Sequence, residues 1–221
     1  NQMKRLILLM ITCYCLLPGH ANTDIASDSL LQVLQTLPHD TTRLSTLNDI
    51  IKIEQNNYKC IQYSDTLMQE ALKLKNDKYA SLAAYYHLLY YYNRSEQDSV
   101  AKWIVRMEPY VQRSGLWDYF FDAQRFQIDL YTFTEQYELA ISEANKMKQK
   151  ALNTNSNRGT VAAYQCLSNA YIGSQRWNEG LKALEEAYRL LPKKGNAVVH
   201  ISVLSQLVSV TKEMKDNNRQ L

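Results

Sequence analysis

Apolar residues recur along the chain at helical intervals, and the segments between the predicted turns lack the strict alternation that marks a half-buried strand. Leu, Ala, Gln, Lys and Glu, which favour helices, are common in these segments. The pattern therefore predicts an all-α protein that is assembled from amphipathic helices.

One pair of helices is predicted most clearly, in residues 161–192. Small side chains at Ser168 and Gly180 would let its two helices approach closely, and Tyr171 would fill the space beside them. Pro192 would end the second helix, because proline lacks the backbone N–H that a helix needs. The positions that carry this pattern are Leu167, Ser168, Tyr171, Gly180, Leu184, Ala187 and Pro192.

The same pattern recurs in weaker form earlier in the chain, with starts about 40 residues apart. Gly115, Gly159 and Gly195 fall in the predicted gaps between units. Pro109 lies inside the predicted second helix of the second unit, so that helix is expected either to bend there or to end at Glu108. The predicted units are 41–81, 82–120, 121–160 and 161–195, followed by a truncated fifth unit at 196–221.

The defining positions of residues 161–192 coincide with the signature positions of the tetratricopeptide (TPR) unit, and this segment resembles that family. The standard TPR unit has about 34 residues, so the wider spacing implies longer helices or longer loops here. The resemblance implies a TPR-like right-handed superhelix of antiparallel helix pairs. In such a superhelix the first helix of each pair lines a concave surface.

Carried over to this sequence, the resemblance implies a polar binding groove with an aromatic patch at one end. Aromatic rings, Arg and side-chain amides are common where proteins bind peptides. The alternative interpretation is an ordinary solvated face. The five tyrosines between Tyr85 and Tyr92 cannot all point inward on one helical stripe, so some of them must line a groove or an interface. The candidate ligand-binding residues are Tyr86, Tyr90, Asn93, Arg125, Asp129, Gln165 and Asn169, with Ser45, Asp49, Lys52 and Asp122 at matching positions.

The first 21 residues have the three-part layout of a secretory signal peptide. Lys4 and Arg5 form its positive region, an apolar run follows, and Ala21 is the small residue before the expected cleavage point. The apolar run is short for a membrane span, which needs about 20 residues. A lipoprotein leader that ends at Cys13 or Cys15 is the alternative.

Both ends of the predicted array carry a single helix. Residues 22–40 are expected to form a short helix that covers the first unit, with Asp40 or Thr41 as the N-cap of the next helix. The fifth unit lacks a second helix to cover its apolar face, so we expect the natural protein to continue beyond Leu221.

The net charge and the absence of catalytic and metal-binding motifs make several classes of function unexpected. The net charge of +3 falls to +1 once Lys4 and Arg5 leave with the leader, and no basic stripe is present, so nucleic acid is not an expected partner. Metal-ligand spacing, a Gly-rich phosphate loop and a nucleophile motif are all missing, so we expect no catalytic residue, no metal and no cofactor. Cys60 and Cys166 lie three predicted units apart, which favours two free, buried thiols over a disulfide.

A cleaved leader, the segment 30–46 and units of about 40 residues occur together in the exported N-terminal TPR regions of bacterial two-component sensor histidine kinases, which the chain resembles. The resemblance implies a periplasmic sensor of a Gram-negative bacterium that binds a protein or peptide. Its membrane contact would run only through a segment outside this chain. The alternative is a free-standing periplasmic or surface scaffold or binding protein, for example in nutrient uptake. A homodimer is compatible with both.

Overall fold

The computed structural model describes residues 20–54, 58–191 and 197–218, and this part of the chain contains ten α-helices and no strand. The helices are α1 (His20–Thr36), α2 (Thr41–Glu54), α3 (Lys59–Lys73), α4 (Asp77–Tyr92), α5 (Gln97–Ser114), α6 (Trp117–Phe133), α7 (Tyr137–Asn153), α8 (Asn157–Gly173), α9 (Trp177–Arg189) and α10 (Ala197–Asn218).

Each helix packs against the next one, and the short turns make consecutive helices antiparallel. In the pair α4–α5, Arg113 near the end of α5 forms an ion pair with Asp77 at the start of α4, at 2.7 Å. The first helices of successive pairs, α2, α4, α6 and α8, also pack side by side. The chain is therefore an all-α helical-repeat superhelix, as the sequence predicted.

Between residues 75 and 175, a turn residue in the left-handed conformation recurs every 20 residues. Five of these six residues are not glycine, and their φ angles lie between 52° and 63°. After each of these five, the N–H of the next residue bonds to the carbonyl five residues before it, as Gln136 does to Tyr131 and Arg176 does to Tyr171, both at 2.8 Å. The repeat therefore has two halves of equal length. The turn positions are Lys75, Ser95, Gly115, Glu135, Asn155 and Gln175.

The helix pairs begin before the predicted units do. The first helices of the second, third and fourth pairs start at Asp77, Trp117 and Asn157, and the predicted units start four or five residues later, inside these helices. These first helices have 16 or 17 residues. Their length accounts for much of the difference from the standard TPR unit of about 34 residues.

The close approach predicted at Ser168 and Gly180 is confirmed. Both residues are buried where α8 meets α9, and a Cβ on Gly180 would lie 3.4 Å from the carbonyl oxygen of Ser168. It would also lie 2.7 Å from Cγ1 of Ile172. A large side chain at this position would therefore push the two helices apart.

The expectation that three glycines mark gaps between units is right for Gly115 and wrong for Gly159. Gly115 directly follows α5 and has a φ of 75°, as residues that end helices commonly do. Gly159 lies in the first turn of α8, where a Cβ would come within 2.5 Å of the Phe121 ring. Because Gly159 has no side chain, the Phe121 ring of α6 can pack directly against the backbone of α8. Gly195 lies outside the described residues.

Pro109 lies inside α5, which continues to Ser114. The alternative that this helix ends at Glu108 is therefore wrong. Met107 and Val111, on either side of the proline, are fully buried in the same hydrophobic core. Packing therefore holds the helix together across the hydrogen bond that the proline cannot donate.

Helix α1 packs on α2 and covers the start of the array. Asp40 is the N-cap of α2, because its Oδ1 accepts hydrogen bonds from the N–H of Thr42 at 2.8 Å and of Arg43 at 3.2 Å. The predicted leader lies outside the described residues, apart from the backbone of its last two positions. None of the described helices is both long enough and apolar enough to span a membrane.

Cys60 and Cys166 are free and buried in two different parts of the core, as predicted. Burial raises the pKa of both thiols. A thiol that stays protonated is a poor nucleophile, so both cysteines act as small apolar core residues.

Candidate ligand-binding face

The first helices α2, α4, α6, α8 and α10 present polar side chains to one another, and we call the surface that they share the first-helix face. Most of these side chains were predicted from the sequence as groove residues. The first-helix face comprises Asn48, Tyr86, Tyr90, Asn93, Tyr119, Asp122, Arg125, Asp129, Arg158, Gln165, Asn169 and Gln206.

Three of the predicted groove residues, which we call the seam residues, hold neighbouring first helices together: Tyr86, Gln165 and Asn169. Tyr86 is only 4% exposed, and its hydroxyl donates to Oδ1 of Asn48 on α2 at 2.9 Å. Gln165 donates to Gln206 on α10 at 2.8 Å, and the Gln206 amide donates in turn to Asn169 at 3.2 Å. The hydrogen-bonding groups of the seam residues are therefore already engaged within the fold.

Tyr90 and Asn93 lie at the C-terminal end of α4 and keep accessible surface. Asn93 is exposed, and its backbone N–H closes the helix by bonding to Leu89. Tyr90 is half-buried, and the guanidinium carbon of Arg94 lies 3.4 Å from the centroid of its ring. The contacts of Tyr90 are with Arg94 and with the edge-on ring of Tyr91 at 5.4 Å, and no described contact joins it to Arg125.

Two other tyrosines of α4, Tyr85 and Tyr92, face the neighbouring helix α6. Tyr85 meets Tyr119 edge-on at 5.0 Å between ring centroids, and the ring of Tyr92 lies 4.5 Å from that of Phe126. The tyrosines of α4 thus point in several directions, because neighbouring positions on a helix project to different sides. Their surroundings are α2 for Tyr86, α6 for Tyr85 and Tyr92, and the helix end for Tyr90 and Tyr91.

Arg125 lies on α6, the middle one of the five first helices, and its side chain is 39% exposed. Its Nε lies 4.0 Å from Oδ1 of Asp122, and its guanidinium carbon lies 4.9 Å from the centroid of the Phe126 ring. Asp122 is engaged elsewhere, because Oδ2 accepts a hydrogen bond from Arg158 at 2.7 Å. Within the described residues, no hydrogen bond is formed by the guanidinium of Arg125.

Asp129 follows Arg125 by one helical turn and is half-buried. Burial raises the pKa of Asp129 to about 6, and the positive charge of Arg125 opposes that rise. No ion pair within 4.0 Å joins the two side chains, and in the described part of the chain no group donates a hydrogen bond to the Asp129 carboxylate. An acceptor and a cation therefore lie near each other without a direct bond between them.

The surroundings of this pair fix the charge of Arg125 and keep Tyr92 neutral. Burial acts to lower the pKa of Arg125, but the carboxylates of Asp129 and Asp122 outweigh it and raise that pKa. Burial, together with the negative charge of Asp129, raises the pKa of Tyr92 to about 12. Near neutral pH the pair therefore offers one permanent cation beside one titratable carboxylate.

A second polar cluster, which the local sequence spacing did not reveal, surrounds His87 on α4. The ring is 3% exposed and stacks on Trp103 of α5, and its Nε2 lies 3.1 Å from Oδ1 of Asp65 on α3. A search for partners at i+3 and i+4 misses Asp65, because it belongs to the preceding helix pair. This cluster lies between α3, α4 and α5, away from the first-helix contacts.

Known proteins add no assignment to this geometry. The described residues contain no group of three His, Cys, Asp or Glu side chains that could hold a metal ion. No known protein-family model matches the chain, and comparison with curated proteins finds no match. The function is therefore argued from the residues of the first-helix face.

Proposed function

We propose that the chain is a TPR-type binding module that takes a protein or peptide partner on the first-helix face. The observation that carries this proposal is how this face uses its polar groups. The seam residues are engaged between helices, whereas Tyr90, Asn93 and Arg125 retain accessible surface on the same set of first helices. Tyr and Arg are the residues that most often dominate binding energy at protein interfaces.

The TPR assignment is supported by two features of the helix pairs. The small residues Ser168 and Gly180 meet where α8 packs on α9, as the TPR signature requires. The left-handed turn residues recur at a constant spacing, which is typical of a repeat array.

The wider role that we propose is the exported sensor part of a membrane-bound signalling protein, such as a two-component sensor histidine kinase. This proposal is supported by the leader pattern of residues 1–21 and by the resemblance of the repeat array to such sensor regions. Mass spectrometry of the protein from its native cells should find a mature N-terminus at Asn22. The alternative is a free-standing scaffold or binding protein. Sequencing the gene beyond codon 221 distinguishes the two, because a membrane-bound sensor needs an apolar span of about 20 residues there and a free-standing scaffold needs none.

Site-specific photo-crosslinking tests the binding role. A photoreactive phenylalanine analogue replaces Tyr90 on α4 in one protein and Tyr188 on α9, a second helix, in the control. Tyr188 is a matched control because it is also a surface tyrosine, with half of its surface exposed. We expect the Tyr90 position to capture one periplasmic partner, Arg125→Ala to abolish that capture, and Tyr188 to capture nothing comparable. Equal capture from both positions would contradict the proposal.

A further inference from the structure

We propose that Arg125 and Asp129 form a subsite for a small zwitterion, a free α-amino acid, on the first-helix face. This inference goes beyond the proposed protein or peptide partner, because it names a small ligand for the same binding face. It starts from groups whose hydrogen-bonding capacity is unused in a half-buried place.

The guanidinium of Arg125 has five N–H donors, and none of them forms a hydrogen bond within the described residues. The carboxylate of Asp129 has two acceptor oxygens, and they too receive no hydrogen bond from described groups. Both side chains keep some access to water, so a ligand that offers the opposite charges can replace that water. Two opposite charges with unused hydrogen-bonding groups therefore lie within one helical turn, and this arrangement is the basis of the proposed site.

Arg125 is free to bind an anion because its nearest carboxylate has another partner. Asp122 is held by Arg158 at 2.7 Å, whereas its closest approach to Arg125 is 4.0 Å. A guanidinium can grip a carboxylate through two parallel hydrogen bonds. The α-carboxylate of an amino acid would supply that arrangement, with no change in the contact between Asp122 and Arg158.

Asp129 provides the matching place for an amine. The i, i+4 spacing puts Arg125 and Asp129 on the same face of α6, with Cβ atoms about 5–6 Å apart. In a free α-amino acid the ammonium and carboxylate groups are attached to the same carbon atom, so one molecule can contact both side chains. An ordinary peptide segment cannot, because its amine and carboxylate lie at opposite ends.

Aromatic rings border the subsite on the side of α4. Tyr92 and Phe126 lie with their rings 4.5 Å apart, and Phe126 already contacts the guanidinium of Arg125. Ring faces attract cations and also bury apolar groups. The rings would therefore contact the side chain of the amino acid and exclude water from its charges.

Thermal unfolding of the full chain with the twenty free L-amino acids as probes tests this inference. We expect at least one of them to raise the Tm by roughly 5–10 °C at a hundredfold excess over its Kd. Its N-acetyl derivative, which lacks the amine, and its methyl ester, which lacks the carboxylate, should raise the Tm far less. If no amino acid raises the Tm, or if either derivative matches its parent, the subsite is wrong.

Single substitutions test whether the amino acid binds at Arg125 and Asp129. Asp129→Asn and Arg125→Met should each weaken the affinity at least tenfold, and Arg125→Lys, which keeps the charge but loses the paired hydrogen bonds, should also weaken it. Arg189→Met, at an exposed ion pair on α9, is the control and should bind as the parent does. Full binding by Asp129→Asn would overturn the assignment. A failed amino-acid screen beside successful crosslinking at Tyr90 would sink this inference and leave the proposed protein partner standing, and the reverse result would do the opposite.

Discussion

The imidazole of His87 lies parallel to the indole of Trp103, with ring centroids 4.0 Å apart and ring planes at 1° to each other. The stack joins α4 to α5 in the core of the second helix pair. Both ring nitrogens are buried, and the nearest charged group is the carboxylate of Asp65, whose Oδ1 lies 3.1 Å from Nε2. Burial lowers the pKa of His87, the carboxylate of Asp65 opposes that change, and Arg106 adds to it.

Stability should therefore depend on pH through His87. Because its pKa is lower in the folded protein than the value of about 6.5 in the unfolded chain, folding favours the neutral ring. We expect the contribution of His87 to the free energy of unfolding to be fully present above about pH 6.5 and to be lost as the pH drops below that value. His87→Phe keeps a flat ring against Trp103 and should remove this loss. Urea unfolding of both proteins at about pH 7.5 and about pH 5.5 measures it, and an equal loss in the variant would contradict the assignment.

Asp129→Asn should stabilise the ligand-free protein near neutral pH. The pKa of Asp129 is about 6 in the folded protein, above its ordinary value of 3.8, so the folded state favours the protonated acid. That contribution is present at low pH and is lost as the pH rises through about 6. A neutral amide removes the cost of burying the charge, which we expect to be about 1–3 kcal/mol. Urea unfolding measures the gain.

The control for this prediction is Asp98→Asn, at an exposed position in the first turn of α5. It should change the free energy of unfolding by less than about 0.5 kcal/mol. A destabilised Asp129→Asn protein would mean that Arg125 already compensates the carboxylate fully. The proposed amino-acid subsite would then lose its unused acceptor.

The turn between α6 and α7 offers a site for stabilisation. Glu135 adopts a φ of 62°, a conformation that disfavours residues with a Cβ by roughly 1–2 kcal/mol. Glycine avoids this cost but loses more chain entropy on folding, so Glu135→Gly should stabilise the protein by about 0.5–1 kcal/mol. Ser142→Gly, at an exposed position within α7, should instead destabilise it by a similar amount. Thermal unfolding compares the two, and the same sign for both would contradict the argument.

The parts of the fold that the sequence predicted correctly depend on local patterns. The all-helical class follows from helical spacing of apolar residues, and the contact between Ser168 and Gly180 follows from two small residues on facing stripes. The left-handed turns could not be placed in the same way, because five of the six carry ordinary residues such as Lys75 and Gln175. The first helices therefore extend further toward their N-termini than the predicted unit starts.

The candidate site was less predictable, because its contacts join residues about one repeat apart. Position within a repeat shows that Tyr86 and Gln165 lie on first helices, but their partners Asn48 and Gln206 come from neighbouring units. Whether a polar side chain faces a ligand or a neighbouring helix is decided by that partner. The structure was needed to separate the seam residues from Arg125.

The last prediction tests which polar residues join neighbouring helices and which contact a ligand, by measuring stability and binding on the same variants. Tyr86→Phe removes the hydroxyl that donates to Oδ1 of Asn48 and leaves a buried acceptor unpaired, so it should cost about 1–3 kcal/mol. Partner capture should be unchanged, since the Tyr86 ring is not accessible. Tyr90→Ala should do the reverse, with a change in stability below about 1 kcal/mol and a loss of affinity of at least about tenfold. Urea unfolding and partner titration, on the same preparations, give both quantities. If Tyr86→Phe abolished capture without loss of stability, Tyr86 would be a ligand contact, and the seam residues would belong to the binding site.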